Sequence, residues 1–240
     1  MRIFLILLIM SSANFFAQKT LTPGNVKLES KFIKDETSNA VWYAEKGDQK
    51  IEIGKVITEV KKIDKAKLLI KTTVEMNQAP GKPWVDSTLV RTSDFQPIYH
   101  SSYNLMRDMV LNFEKNKATG YYLDKKSQKK DQIDEKISTE YFDSNSYPGL
   151  IRFLPLKEHY SIEIPIFDYN PSAKKRVIKA YIEEVNSGEF NDKQVWIVKT
   201  TDDIQDRKTV ITYFIDKSTR EVLKQEIDAG GRKMVIESVK

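Results

Sequence analysis

The 240-residue chain contains no cysteine, only two histidines and only nine glycines. The missing cysteines exclude disulfides, thiolate metal sites, cysteine nucleophiles and a lipid-modified N-terminal cysteine. The two histidines, His100 and His159, each lack a second ligand at metal-binding spacing, so neither a structural zinc nor a His-based triad is expected. There is no G-x-S-x-G elbow and no glycine-rich phosphate loop. No apolar run reaches the ~20 residues that cross a bilayer as a helix. A chain without staples must be stable through its core alone. The 40% of hydrophobic residues suffice for that, and the 30% of charged residues solvate the surface.

The front end has its own pattern. Arg2 is followed by the apolar run Ile3 to Met10, then by Ser11, Ser12 and Ala13, and by Ala17-Gln18. Positive charge, short apolar stretch and small residues before a cut are the layout of a secretory signal. Residues 1–17 are therefore expected to be a signal peptide, with cleavage after Ala17 or after Ala13. The protein is expected in the periplasm or on the extracellular side of a bacterial envelope. Residues 1–17 hold one basic residue and no acid, so the remaining chain carries a formal charge of +4. That weak excess, with no recognisable nucleic-acid module, excludes nucleic acid as the expected partner. Peripheral contact with anionic lipid remains compatible with it.

Residues 18–47 read as a polar N-terminal segment with a short strand around Val41-Trp42-Tyr43. Residues 48–240 read as one β domain. Leu68, Ile70, Thr72, Val74 and Met76 alternate with polar neighbours, as do Met109, Leu111 and Phe113, and Ile178, Ala180 and Ile182. Period two with β-branched residues means half-buried strands. About a dozen such runs follow at hairpin spacing, punctuated by Ala79-Pro80-Gly81, Asn116-Lys117, Asn186-Ser187-Gly188 and Gly230-Gly231. The pattern predicts a mainly β fold with a curved antiparallel sheet and one or two short helices. The Pro-bounded stretch Tyr147 to Leu156 is the exception. Pro148 starts a short helix and Pro155 stops it. It is either a connector over one end of the sheet or a lid over an apolar cavity.

One corner recurs. Tyr121-Tyr122-Leu123-Asp124-Lys125-Lys126-Ser127 and Tyr213-Phe214-Ile215-Asp216-Lys217-Ser218-Thr219 both place Asp after an aromatic strand, and Ser93-Asp94-Phe95-Gln96-Pro97 is a looser version. Asp there accepts backbone N–H groups two residues on, which makes a hairpin turn. Asp216 and Arg220 are expected to face each other across it as an exposed pair worth ~0–1 kcal/mol. The stretch Tyr213 to Leu223 resembles a hairpin of the outer-membrane lipoprotein-carrier (LolA-like) superfamily. It is more similar to a related, uncharacterised family of exported bacterial proteins. Arg152-Phe153-Leu154-Pro155-Leu156-Lys157-Glu158-His159-Tyr160 resembles that family's R-x-L-P-L…G-Y segment, with His159 in place of glycine. Asp94-Phe95-Gln96-Pro97 resembles its D…L-x-P corner. Over residues 40–238 the resemblance implies a LolA-like half-barrel with short helices at its mouth. It also implies acyl chains held in the concave face.

The expected function is therefore non-enzymatic binding of a lipid or other apolar ligand, without cofactor or metal. The candidate apolar contacts are Trp84, Phe113, Tyr121, Phe153, Tyr181, Trp196 and Phe214, aromatic residues spread across the strands. A second reading is an interaction module for another envelope protein through the concave face or an edge strand. A third is a hydrolase using Asp134, Glu135 or Asp168, which requires paired carboxylates at a set separation. The acids Asp202, Asp203 and Asp206 read as a solvated loop, because no glycine stands where a calcium loop needs one. The run from Lys125 to Lys130 reads as a solvated hairpin.

Overall fold

The computed structural model describes residues 19–239. The expected signal peptide, residues 1–17, lies outside them. Fifteen strands form one sheet: β1 (Glu36–Lys46), β2 (Gln49–Lys62), β3 (Lys67–Met76), β4 (Trp84–Arg91), β5 (Pro97–Tyr103), β6 (Arg107–Glu114), β7 (Lys117–Asp124), β8 (Lys129–Lys136), β9 (Phe142–Asp143), β10 (Ile162–Phe167), β11 (Val177–Phe190), β12 (Lys193–Asp202), β13 (Thr209–Asp216), β14 (Val222–Ala229) and β15 (Arg232–Val239). A short helix, α1 (Tyr147–Ile151), lies between β9 and β10. Pro148 opens it, as the missing N–H at a first helical turn allows.

The sheet runs β8 to β1 and then β15 down to β9. Every neighbouring pair is antiparallel except β9–β10. β1 pairs with β2 on one side and with β15 on the other, so the first and last strands meet in the middle of the sheet. Residues 36–46, expected in a separate N-terminal segment, thus supply a central strand. The rest of that segment crosses the core: Leu21 donates its N–H to the Glu163 carbonyl, Glu29 donates to the Phe153 carbonyl, and Leu21 and Ile33 are buried.

The sheet is curved but not closed, since β8 and β9 are not hydrogen-bonded to each other. Side chains instead tie the β9 edge across to β5 and β4. Asp143 of β9 meets His100 of β5 at 2.9 Å and accepts from the Thr88 hydroxyl of β4 at 3.3 Å. Curvature is built in locally. At Gly120 a Cβ would lie 1.8 Å from the Val110 carbonyl oxygen, so β7 and β6 approach more closely than any side chain allows. The expected alternation is seen: Leu68, Met109, Leu111, Phe113, Ala180 and Ile182 are all buried.

The concave face carries two core clusters. The larger gathers α1 and its flanks (Tyr147, Leu150, Ile151, Phe153, Leu154) with inner residues of β2, β3 and β10–β13. The smaller gathers Met109, Leu111, Phe113, Ala118 and Ile133 of β6–β8 against Tyr141 and Phe167.

Candidate functional site

α1 rests inside the curve and leaves a cavity of about 320 Å³ between itself and the sheet. The reason is side-chain size. Beneath α1 the inner positions are short: Ser38 and Ala40 on β1, Thr58 on β2, Thr72 on β3 and Ser238 on β15. Val56, Val60, Ile70, Val74 and Ile236 make the wall predominantly apolar. The helix side contributes Pro148, Gly149, Arg152 and Phe153. The Pro-bounded stretch is thus both connector and cavity wall. Its volume is at the lower end of the ~300–1,000 Å³ typical of small-molecule sites.

Polar groups punctuate this wall. Arg152 is 7% exposed and its Nη1 bonds Glu36. Its Nε and Nη2 have no partner among the described residues, and neither does Trp42 Nε1 or Asp86 Oδ1. The guanidinium stands over the Phe153 ring, 4.8 Å from its centroid. Beside the cavity, burial pushes the Tyr147 hydroxyl well up, and Tyr213, Asp202 and Asp168 add to that. Tyr147 donates to Asp202 at 2.9 Å.

Trp84 lines this cavity and also a wider, more open pocket of about 710 Å³ at the rim. That rim pocket includes Met76, Leu105, Met106, Tyr122 and Ile204.

Of the seven aromatic residues expected to contact a ligand, Trp84 and Phe153 line the α1 cavity. Phe113 is locked in the smaller cluster, edge-on to Phe167 at 5.4 Å. Trp196 packs against the larger cluster under Lys217. The remaining three point away. Tyr121 alternates with the inward Tyr122 and sits under Lys130. Tyr181 alternates with the core residues Ala180 and Ile182 and is covered by Arg207. Phe214 alternates with the core residues Tyr213 and Ile215 and stacks on Phe190. Strand parity, not aromatic character, decides which ring faces inward.

The other chemistry-bearing residues have structural partners. Asp134 pairs with Lys117, Glu135 with Arg176, and Asp168 accepts from Ser144. Burial raises the Asp168 carboxyl, and the Ser144 bond only partly offsets it. Asp202 caps the turn at residues 203–205. No group of three or more metal-ligating side chains occurs among the described residues. His100 is paired with Asp143 in the core. Burial alone would lower its pKa, but the charge and hydrogen bond of Asp143 outweigh burial and raise it.

The recurring corner is a turn. Asp216 Oδ1 accepts from the N–H groups of Ser218 and Thr219 and from the Ser218 hydroxyl. Asp124 and Asp94 make equivalent bonds in their own corners. Burial acts to raise the Asp216 carboxyl, yet the Ser218 and Thr219 bonds and Lys193 together bring it down to about 2. The expected Asp216–Arg220 side-chain pair does not form. Arg220 takes a left-handed backbone, φ 64°, that turns its side chain to Glu29, while Asp216 pairs with Lys193. His159 likewise has φ 57°, a conformation glycine adopts without strain.

A solved structure shares the architecture. A β-barrel-like protein of the domain of unknown function DUF1849 from Brucella abortus superposes with a TM-score of 0.54 at 12% identity, covering 93% of this chain and 98% of that one. The hypothetical protein CT021 from Chlamydia trachomatis gives a TM-score of 0.31 at 9% identity, with 89% and 91% covered, too slight a likeness to bear on the fold. No curated protein matches. The model of a family of proteins of unknown function, DUF3108, matches residues 37–237, from β1 through β15, and the chain belongs to that family.

Proposed function

We propose that this protein is an exported, non-enzymatic protein of the bacterial envelope that binds a single-chain apolar ligand between α1 and the concave face of its sheet. The observation that carries this reading is the 320 Å³ cavity, whose lining surface is mostly apolar and is interrupted by polar side chains. Such a lining is the usual character of small-ligand sites. Burying an acyl chain contributes ~0.8 kcal/mol per methylene, enough for affinity without an elaborate polar site. Export rests on the Arg2-led apolar run, and the carrier-like role on the resemblance to LolA-like proteins. Neither a cofactor nor catalysis is part of the reading.

The test is titration of the purified protein, residues 18–240, with a fluorescent fatty-acid probe. Saturable uptake at one site is expected, read as an enhanced or shifted probe emission with quenching of the Trp42 and Trp84 fluorescence. A protein that never enhances or shifts the probe's emission contradicts the proposal.

A second reading, docking to an envelope protein or membrane surface, draws on the rim. Leu105 and Met106 are 52% and 64% exposed, beside Ile204 and Trp84. The edge strand β8 is poorly suited to strand addition, because its sequence KKDQIDEK is dominated by charge. Any such contact would therefore use the rim. Loss of vesicle or partner binding in Leu105→Ser/Met106→Ser, with probe uptake intact, would separate the two readings.

A further inference from the structure

We propose that the cavity selects ligands bearing an anionic oxygen head group, a carboxylate or a phosphate, and that Arg152 is the residue that recognises it. This rests on the apolar-ligand reading above and adds the chemistry of the ligand's polar end.

Three observations converge. Arg152 is buried, and a buried guanidinium needs acceptors for its five N–H donors. Glu36 takes Nη1 only. Nε and Nη2, on the same edge of the planar group, have no acceptor among the described residues, in a side chain that lines the cavity. That edge has the shape of a fork for two oxygens, and because both nitrogens are enclosed a head group reaches them through a small shift of the lining side chains. The protein itself shows the fork in use: Arg91 grips both oxygens of Asp94 through the same two nitrogens, at 2.9 Å from Nε and 2.6 Å from Nη2. Stacking on Phe153 holds the plane of Arg152 in place, so little orientational freedom is lost when a ligand binds. Trp42 Nε1, also unpartnered and in the same wall, is a further donor.

The aliphatic part of the wall gives the tail its place. Val56, Val60, Ile70, Val74 and Ile236 offer no polar atoms beyond the backbone. A volume of about 320 Å³ suits one chain and not two, so a single-tailed amphiphile fits better than a diacyl lipid. The acids of the wall are Asp86 and Glu221. Asp86 is on β4, whose inner face meets the His100–Asp143 pair, and its charge acts on His100.

The experiment displaces the fluorescent probe with decanoate, decanol and decyl phosphate, which share a tail and differ in head group. Decanoate or decyl phosphate is expected to bind at least about tenfold more tightly than decanol, the range of a hydrogen-bonded charge. Whichever anion binds more tightly identifies the source of the head group. In Arg152→Gln, and in the double variant Arg152→Gln/Glu36→Gln, which removes both charges of that pair together, the preference should vanish while decanol affinity is retained. Equal affinity of all three ligands in the unaltered protein overturns this inference and leaves the apolar-ligand reading standing. Displacement by none of them overturns both. Retained anion preference in a folded double variant also overturns the role of Arg152.

Discussion

Beneath β6–β8 the concave face is filled by interlocking rings, whereas beneath β1–β4 and β14–β15 the same continuous sheet encloses a cavity. At the filled end Phe113, Tyr141 and Phe167 lie within 5.4–5.8 Å of one another, and Tyr122 stacks on Tyr169. At the hollow end the inner positions hold serine, alanine and threonine, and α1 spans the gap above them. Antiparallel pairing is the same in the two. The choice of inner-face side chain makes one region a core and the other a candidate binding site. The buried His100–Asp143 pair stands at the seam, tying β9 to β5.

The largest effect should come from breaking the filled end. Phe167→Ala removes a fully buried ring and should cost ~3–5 kcal/mol in denaturant unfolding. Val56→Ala, whose side chain borders the cavity already, should cost only ~1 kcal/mol. Similar costs for the two would dissolve the contrast.

The seam should respond to pH. His100 has its pKa raised in the folded state, so the fold binds this proton more tightly than the unfolded chain. Its contribution is fully present below about 6.5, the value in the unfolded chain, and is lost as pH rises through the higher folded value. Asp143, Asp86 and Arg107 are the charged groups acting on it. Asp143→Asn should cost ~1.5–3 kcal/mol near pH 6 and less at pH 8. A variant whose deficit is the same at both pH values would mean that His100 is not the titrating group.

Filling the hollow end should have the opposite sign. Ala40→Leu places an aliphatic side chain in the cavity wall and should add ~0.5–1.5 kcal/mol of stability while abolishing probe uptake. Uptake that survives would locate the ligand elsewhere. The smallest change, and a control outside both regions, is His159→Gly. It relieves a left-handed backbone at φ 57° and should shift stability by at most ~1 kcal/mol, with uptake unchanged.

The strands were legible because alternation is local. Leu68 to Met76 and Met109 to Phe113 declare their inner faces within a few residues. The place of β1 was not legible. Glu36 to Asn39 are polar, and the strand is fixed by pairing with β15 at the far end of the chain. The turn role of Asp216, Asp124 and Asp94 was readable from Asx chemistry alone. The partner of Arg220 was not, since Glu29 approaches from a distant segment. The site was legible in part. Phe153 and Trp84 were found as aromatics, but Tyr121, Tyr181 and Phe214 face outward, and a run such as Tyr213-Phe214-Ile215 hides its parity because every member is apolar. The cavity depends on small residues from four strands and the helix, brought together only by the fold. Arg152 was visible within a motif, but its free edge is a product of where Glu36 and Phe153 place it.

The most direct measurement is native mass spectrometry of residues 18–240, exported to a periplasm and purified without detergent. The account predicts a bound mass of a single-chain amphiphile, removed by organic solvent and absent from Ala40→Leu. A clean ligand-free mass that stays unchanged after incubation with decanoate and decyl phosphate would contradict it.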